Sequence, residues 1–199
     1  MNVALVIGKK KSTGVPGKNV REVVGRPAAE YAFIAAKYAG IEKIYVSTDS
    51  DEIAEIGLPY GAVHIVRPPE LATPEALTED ALMHAYNYIK KDIGMNKIDT
   101  ISLLFCNNPA IDVDLLKEAI EFTATTKEYD SCFSVAKYDM FSPARARKID
   151  SKGEIKPFVD LKYIDNISSI RDSQGSTFFC DLSIQVMKPN CFEDMENGQ

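Results

Sequence analysis

Apolar and polar positions follow two alternating textures along most of this chain. Short, nearly uninterrupted apolar runs such as Val3-Ala-Leu-Val-Ile7 and Thr100-Ile-Ser-Leu-Leu-Phe105 read as strands covered on both faces, as in the centre of a parallel sheet. Further strands are predicted at Lys43–Ser47, Val63–Arg67, Ser131–Val135 and Phe178–Val186. Between them the spacing turns helical: Ala28–Ala39, a short helix over Glu52–Gly57, Glu75–Asp92, and Asp112–Thr125 with Val113, Leu116, Ile120 and Ala124 on one face. This β-α-β alternation predicts an α/β domain of three layers, α/β/α, around a mostly parallel, doubly wound sheet with right-handed crossovers.

After Lys137 the texture changes. Residues 147–157 read as a hairpin, with Ile149 and Ile155 flanking the turn residues Asp150-Ser-Lys-Gly153. We take 138–178 as a hairpin or insertion region within a single domain spanning 1–199. The tail Asn190–Gln199 is polar and predicts no element of its own, although a three-layer domain usually closes on a helix here. With 199 residues the chain can bury one substantial core and has little room for a second.

Hydrophobic content of 45% and charged content of 26% are ordinary for a globular protein. A net charge of −6 argues against general nucleic-acid or membrane-surface binding. The cations are instead local, at Lys9–Lys18 and Arg145–Lys148, which suits a small anionic ligand. Cys106, Cys132, Cys180 and Cys191 are far apart and read as reduced core or strand cysteines of a cytoplasmic protein. His64 and His84 lack partners that would suggest a triad or a metal centre and read as structural. No signal peptide or membrane-spanning run is visible.

The first loop carries the clearest chemistry. Val3–Ile7 runs into Gly8-Lys-Lys-Lys-Ser-Thr-Gly-Val-Pro-Gly-Lys-Asn19, at the carboxyl end of a strand, where open α/β sheets bind ligands. Glycines let backbone N–H groups approach phosphates, and lysines supply point charges to them. Neither Gly-x-x-x-x-Gly-Lys-[Ser/Thr] nor Gly-x-Gly-x-x-Gly is present. The next helix begins only near Ala28, so the loop is expected to fold over the ligand as a lid, stiffened by Pro16, rather than to act as a helix N-terminus.

Other strand ends carry weaker signals. Val46-Ser-Thr-Asp-Ser-Asp51 contacts a nucleotide or magnesium, or Asp49 or Ser50 caps the following helix. Arg67, held before two prolines, suits a base carbonyl or a phosphate. Asn107 and Asn108 read a polar substrate or form an Asn-Pro turn. Arg145 and Arg147 alternate with alanine in an apparent strand, bind an anionic acceptor or form a solvated face. Asp181, inside an apolar strand, is a magnesium ligand or an edge charge.

Together these blocks resemble the cytidylyltransferases that activate acidic sugars, typified by CMP-sialic acid synthetase, with CMP-Kdo synthetase more distant. The family loop Ala-Arg-x-x-Ser-Lys-Gly-x-Pro-x-Lys-Asn is matched by Gly8–Asn19, Val-Ser-Thr-Asp by Val46–Asp49, Ile-Ala-Glu by Ile53–Glu55, and Arg-Pro-x-Glu-Leu-Ala by Arg67–Ala72. The resemblance runs to about Val186 and implies a nucleotide-diphospho-sugar transferase-like fold. It implies that Lys9 and Lys18 hold the triphosphate as the catalytic charges, that Gly8 and Ser12 complete the phosphate site, and that Asn19 and Arg67 read the cytosine and ribose side of CTP. The implied reaction transfers CMP to an acidic, nonulosonate-like sugar or related anion and releases pyrophosphate, with Mg2+ as cofactor and a homodimer as the assembly.

The acceptor half departs from the pattern. The family's Gln-Pro-Thr-Ser-Pro-Leu-Arg falls on Phe105–Ile111, losing the glutamine and the arginine, and the later Arg-Gln-x-Leu-Pro segment falls on Arg171-Asp172. A substrate-facing family arginine corresponds to Phe179. Asn107, Asn108, Arg145 and Arg147 remain the acceptor-binding candidates. The family's closing Asp-x-Asp, which supplies magnesium ligands, is expected about where this sequence ends, so its absence implies a shortened chain or a weakened enzyme. Two alternatives stay open: transfer with another base or to a phosphate acceptor, and a non-catalytic nucleotide-binding relative.

Overall fold

The computed structural model describes residues 1–11, 14–165, 167–168, 170 and 175–196. The elements run β1 (Asn2–Ile7), β2 (Glu22–Val23), β3 (Arg26–Pro27), α1 (Ala28–Tyr38), β4 (Lys43–Thr48), α2 (Asp51–Gly57), β5 (Val63–Val66) and α3 (Thr78–Ile93). They continue with β6 (Thr100–Phe105), α4 (Val113–Thr125), β7 (Ser131–Lys137), β8 (Arg147–Ile149), β9 (Ile155–Pro157), β10 (Phe178–Met187) and α5 (Asn190–Glu196). The main sheet has the order β5-β4-β1-β6-β10-β7. β1 pairs in parallel with β4 and β6, β4 pairs in parallel with β5, and β10 joins β6 antiparallel through Gln185–Met187.

Because side chains alternate along a strand, β1 divides its apolar run between two cores. Ala4 and Val6 face a cluster with Phe33, Ile53, Leu116 and Ile120 from α1, α2 and α4. Val3, Leu5 and Ile7 face the opposite cluster, with Leu82, Ala85, Tyr86 and Ile89 of α3 and Phe192 of α5. This is the expected three-layer arrangement. The helix starts are set locally. Ser50 Oγ accepts from Ile53 N–H at 3.4 Å at the head of α2, and Asp112 accepts from Asp114 and Leu115 N–H at 2.9 and 3.1 Å at the head of α4. The helix expected from Glu75 starts only at Thr78, because Thr73 Oγ1 accepts the Ala76 N–H at 3.1 Å and holds 73–76 in a turn.

The tail expectation is corrected. Asn190–Glu196 forms α5, which begins right after Pro189. Its Phe192 is fully buried and stacks on Tyr86 with ring centroids 4.8 Å apart. Tyr86 Oη and Lys90 Nζ both donate to Glu193 Oε1, at 2.7 and 3.0 Å. The signal was weak because only a few apolar positions mark a seven-residue helix.

By contacts the chain forms two compact units, one of residues 1–133 with 183 onward and one of 134–182. The segment 138–178 lies within the second. That unit contains the β8–β9 hairpin, paired Arg147↔Pro157 and Ile149↔Ile155, whose turn is closed by Asp150 Oδ1 accepting from Lys152 and Glu154 N–H at 2.9 Å each. Arg145 and Arg147 do not share one strand, as their alternation with alanine suggested. Arg145 ends a 3-10 turn, Pro143–Arg145, and Arg147 opens β8 with Nη1 donating to the Ala144 and Ala146 carbonyls. No described helix is long and apolar enough to cross a membrane.

Phe192→Ala is expected to cost about 3–5 kcal/mol in urea denaturation, the usual loss for emptying a buried aromatic site. A loss below about 1 kcal/mol would mean that α5 does not complete the α3 layer.

Candidate functional site

Parallel pairing aligns the carboxyl ends of β1, β4, β5 and β6 along one edge, and the segments leaving those ends meet there. A cavity of about 480 Å3 opens among them, lined by Ile7, Gly8 and the lysine loop after β1, by Arg67 after β5, and by Phe105 and Asn107 at the end of β6. Leu71 and Leu77, from the segment leading into α3, and Ala81, in the first turn of α3, supply an apolar wall. Four cationic residues line the same space: Lys9, Lys11, Lys18 and Arg67. On a chain of net charge −6, this is a local inversion of sign that favours an anion.

The lysine loop is pinned at its root. Gly8 N–H donates to the Ser47 carbonyl at 3.3 Å, Lys10 N–H donates to Asp49 Oδ1 at 2.7 Å, and Asn19 Nδ2 donates to the Lys9 carbonyl at 2.9 Å. Gly8 has to be glycine for packing reasons. A Cβ there would lie 2.6 Å from Cys106 Sγ and 2.8 Å from Cys106 Cβ. Asn19 is buried, and its own carbonyl accepts from Ala29 N–H at 2.8 Å, so it ties the loop to the start of α1. Lys9 Nζ donates to the Thr73 carbonyl at 3.0 Å. Lys18 lines the cavity with no side-chain hydrogen bond or ion pair among the described residues. Ser12 lies outside the described residues.

Arg67 is only 7% exposed. Its Nε donates to Ser47 Oγ at 3.3 Å and its Nη2 to the Ser47 carbonyl at 2.8 Å. Burial pulls its pKa down, while Asp49 pulls it up. The Val46–Asp51 segment therefore acts as a scaffold. Ser47 holds Arg67, Asp49 holds the lysine loop, and Ser50 caps α2, while the Thr48 carbonyl accepts Arg67 N–H at 3.0 Å. The same carbonyl lies 3.1 Å from His64 Nε2, which must carry the proton because a carbonyl can only accept. Cys106 is fully buried beside Gly8, and burial pushes its thiol up to about 12, with Arg67 opposing. It is a packing residue.

On the acceptor side the two asparagines separate. Asn107 lines the cavity, whereas Asn108 Oδ1 accepts from Ala110 N–H at 3.1 Å and closes its own turn. Arg145 and Arg147 belong to the second unit. Asp181 is exposed in the second unit and accepts a hydrogen bond from Ser134 Oγ. Among the described residues no group of three or more His, Cys, Asp or Glu side chains is placed to hold a metal ion. Sequence reasoning passed over Lys11, which reads as one of a lysine triplet, and the apolar wall of Leu71 and Leu77. Only the fold shows which lysine of the triplet faces inward.

A family model described as cytidylyltransferase matches residues 3–171. A CMP-N,N'-diacetyllegionaminic acid synthase of Legionella pneumophila is 31% identical over 196 residues, covering 96% of this chain and 82% of that protein. An N-acylneuraminate cytidylyltransferase of Escherichia coli is 28% identical over 162 residues, covering 81% of this chain but 37% of its own length. Among solved structures, a CMP:2-keto-3-deoxy-manno-octonic acid synthetase complexed with CTP superposes with a TM-score of 0.67 at 14% identity, covering 98% of this chain and 77% of that one. That last likeness concerns the fold alone.

Gly8→Ala is expected to lower stability by about 1–3 kcal/mol, because backbone or the buried Cys106 must move. Gly14→Ala, where an added Cβ meets nothing within 4 Å, should stay within about 0.5 kcal/mol of the parent. Equal denaturation midpoints for the two variants would refute the close-packing explanation.

Proposed function

The chain belongs to the cytidylyltransferase family, and on that premise we propose that it transfers CMP from CTP to an acidic sugar of the nonulosonate type, releasing pyrophosphate. The observation that carries this reading is the convergence of Lys9, Lys11, Lys18 and Arg67 on one cavity at the strand ends. A nucleoside triphosphate brings about four negative charges, and charge-assisted contacts to lysine and arginine are the strong class of hydrogen bond. The names of the relatives support the acceptor class, since they act on legionaminic and N-acylneuraminic acids.

In this reading an acceptor oxygen attacks the α-phosphorus, a new P–O bond forms, and the bond to the β-phosphate oxygen breaks. Charge then builds on the departing pyrophosphate. Lys9 and Lys18, at opposite ends of the loop, meet that charge, and Gly8 lets the backbone approach it. Arg67 and Asn19 serve the cytosine and ribose side. Asn107 is the acceptor contact that the cavity keeps. Mg2+ enters the proposal as the ion that accompanies a triphosphate, an ion that typically takes few protein ligands and keeps several waters or phosphate oxygens. A reaction that consumes CTP fits a cytoplasmic enzyme.

The assembly proposed is a homodimer. Its support is the second unit, which leaves Ile149 and Ile155 at 74% and 70% exposure and Phe158 and Tyr163 at 62% and 75%. A unit of this size with so much apolar surface suits a partner copy. Sedimentation velocity is expected to give a dimer, and Ile149→Asp a monomer with an unchanged thermal transition of the first unit. A monomeric parent at micromolar concentration would end this part of the proposal.

Two measurements test the activity. With CTP and a panel of nonulosonic acids, pyrophosphate release is expected for at least one acid. Lys18→Ala should weaken CTP binding roughly ten- to hundredfold by calorimetry, as for a lost contact to a charged group, and CMP binding far less. Tight CTP binding without turnover on any acid would refute the transferase reading. Unchanged CTP affinity in Lys18→Ala would refute the loop assignment.

A further inference from the structure

Arg67 presents a physical problem that its surroundings answer only in part. Its guanidinium is almost fully buried, and no carboxylate stands within ion-pair distance of it among the described residues. Asp49 is the charge that acts on it, but Asp49 Oδ1 is spent on the Lys10 N–H at 2.7 Å. A buried cation is costly unless its donors are met and a counter-charge is near. What meets its donors is one neutral residue. Ser47 takes Nε on its hydroxyl and Nη2 on its carbonyl, at 3.3 and 2.8 Å. The guanidinium is thereby held along its Nε–Nη2 edge. Pro68 and Pro69 restrict the backbone on the far side of Arg67. Nη1 receives no protein acceptor among the described residues, and Arg67 lines the cavity.

Ser47 has a second function in the same atoms. Its carbonyl also accepts the Gly8 N–H at 3.3 Å. One peptide oxygen therefore serves both the arginine and the root of the lysine loop, using both of its lone pairs. Ser47 is itself 0% exposed and does not line the cavity.

We propose that Ser47 is a positioning residue for nucleotide binding: it locks the guanidinium of Arg67 so that the Nη1 edge meets the nucleotide, and it registers the lysine loop against the same strand end. This rests on the nucleotide reading above. The hydroxyl is the removable part. Ser47→Ala takes away Oγ, leaves the strand and its carbonyl in place, and lets the guanidinium swing on one remaining bond. Because Arg67 serves the part that CTP and CMP share, the loss differs in kind from that of a loop lysine.

The test is calorimetric titration of the full chain with CTP and with CMP. Ser47→Ala is expected to weaken both nucleotides by the same factor, about tenfold, and Ser47→Thr, which keeps the hydroxyl, to bind within about twofold of the parent. In an Arg67→Lys background, Ser47→Ala should add no further loss, because a lysine has no Nε edge to hold. CTP affinity unchanged in Ser47→Ala overturns the proposal. So does an equal loss in both backgrounds, which would mark a structural role independent of the arginine. If Ser47→Ala is silent while Lys18→Ala still loses CTP, only the positioning role falls. If neither variant affects CTP, the nucleotide reading falls with it.

Discussion

The peptide oxygen of Ser47 receives two donors, the Gly8 N–H and the Arg67 Nη2, and the rest of the site is arranged around that double acceptance. A charge cannot be buried cheaply, and a loop rich in glycine and lysine has no core of its own to hold it. Both difficulties are met at the end of one strand. The sheet makes this possible, because β4 lies directly beside β1, in register Val6↔Val46 and Ile7↔Ser47. The loop leaving β1 and the scaffold leaving β4 are neighbours before any side chain is considered.

The layers behind the sheet edge keep that register rigid. β1 is covered on one side by α1 and α4 and on the other by α3 and α5, so a slip of one residue would exchange its two apolar sets. Gly8 follows at the point where the strand leaves the core, and its missing side chain is filled by Cys106 from the end of β6. Packing thus extends to the first residue of the loop and then stops. Beyond it the described part of the loop is held by hydrogen bonds to Asp49, Asn19 and the Thr73 carbonyl, and Lys9, Lys11 and Lys18 line the cavity.

Much of this was legible in the sequence because the signals were periodic and local. β1 and β6 are continuous apolar runs, the hairpin at 147–157 carries its turn residues in place, and Asp112 and Ser50 stand where capping residues belong. The lysine loop showed its chemistry by composition. What stayed hidden depended on partners distant in the chain. Phe192 marks a helix only because Tyr86 receives it, and Arg145 looks like a strand residue until Pro143 is seen to turn the backbone. The acidic and hydroxyl residues of Val46–Asp51 suggested a ligand site and a cap at once. Their larger role is to hold two other segments, and no local pattern encodes that. Lys11 could not be told from Lys10 for the same reason.

The Lys9 ammonium rests on the Thr73 carbonyl and the Arg67 guanidinium on Ser47, so two of the site's charges rest on neutral oxygens. Among the described residues neither cation is ion-paired to a carboxylate that an incoming polyanion must evict. The same holds in reverse. When a charged product departs, the Lys9 ammonium has the Thr73 carbonyl to return to, while Arg67 keeps its hold on Ser47 throughout. Among the described residues, neither of these two cations has an ion pair to break before the site takes up its next ligand.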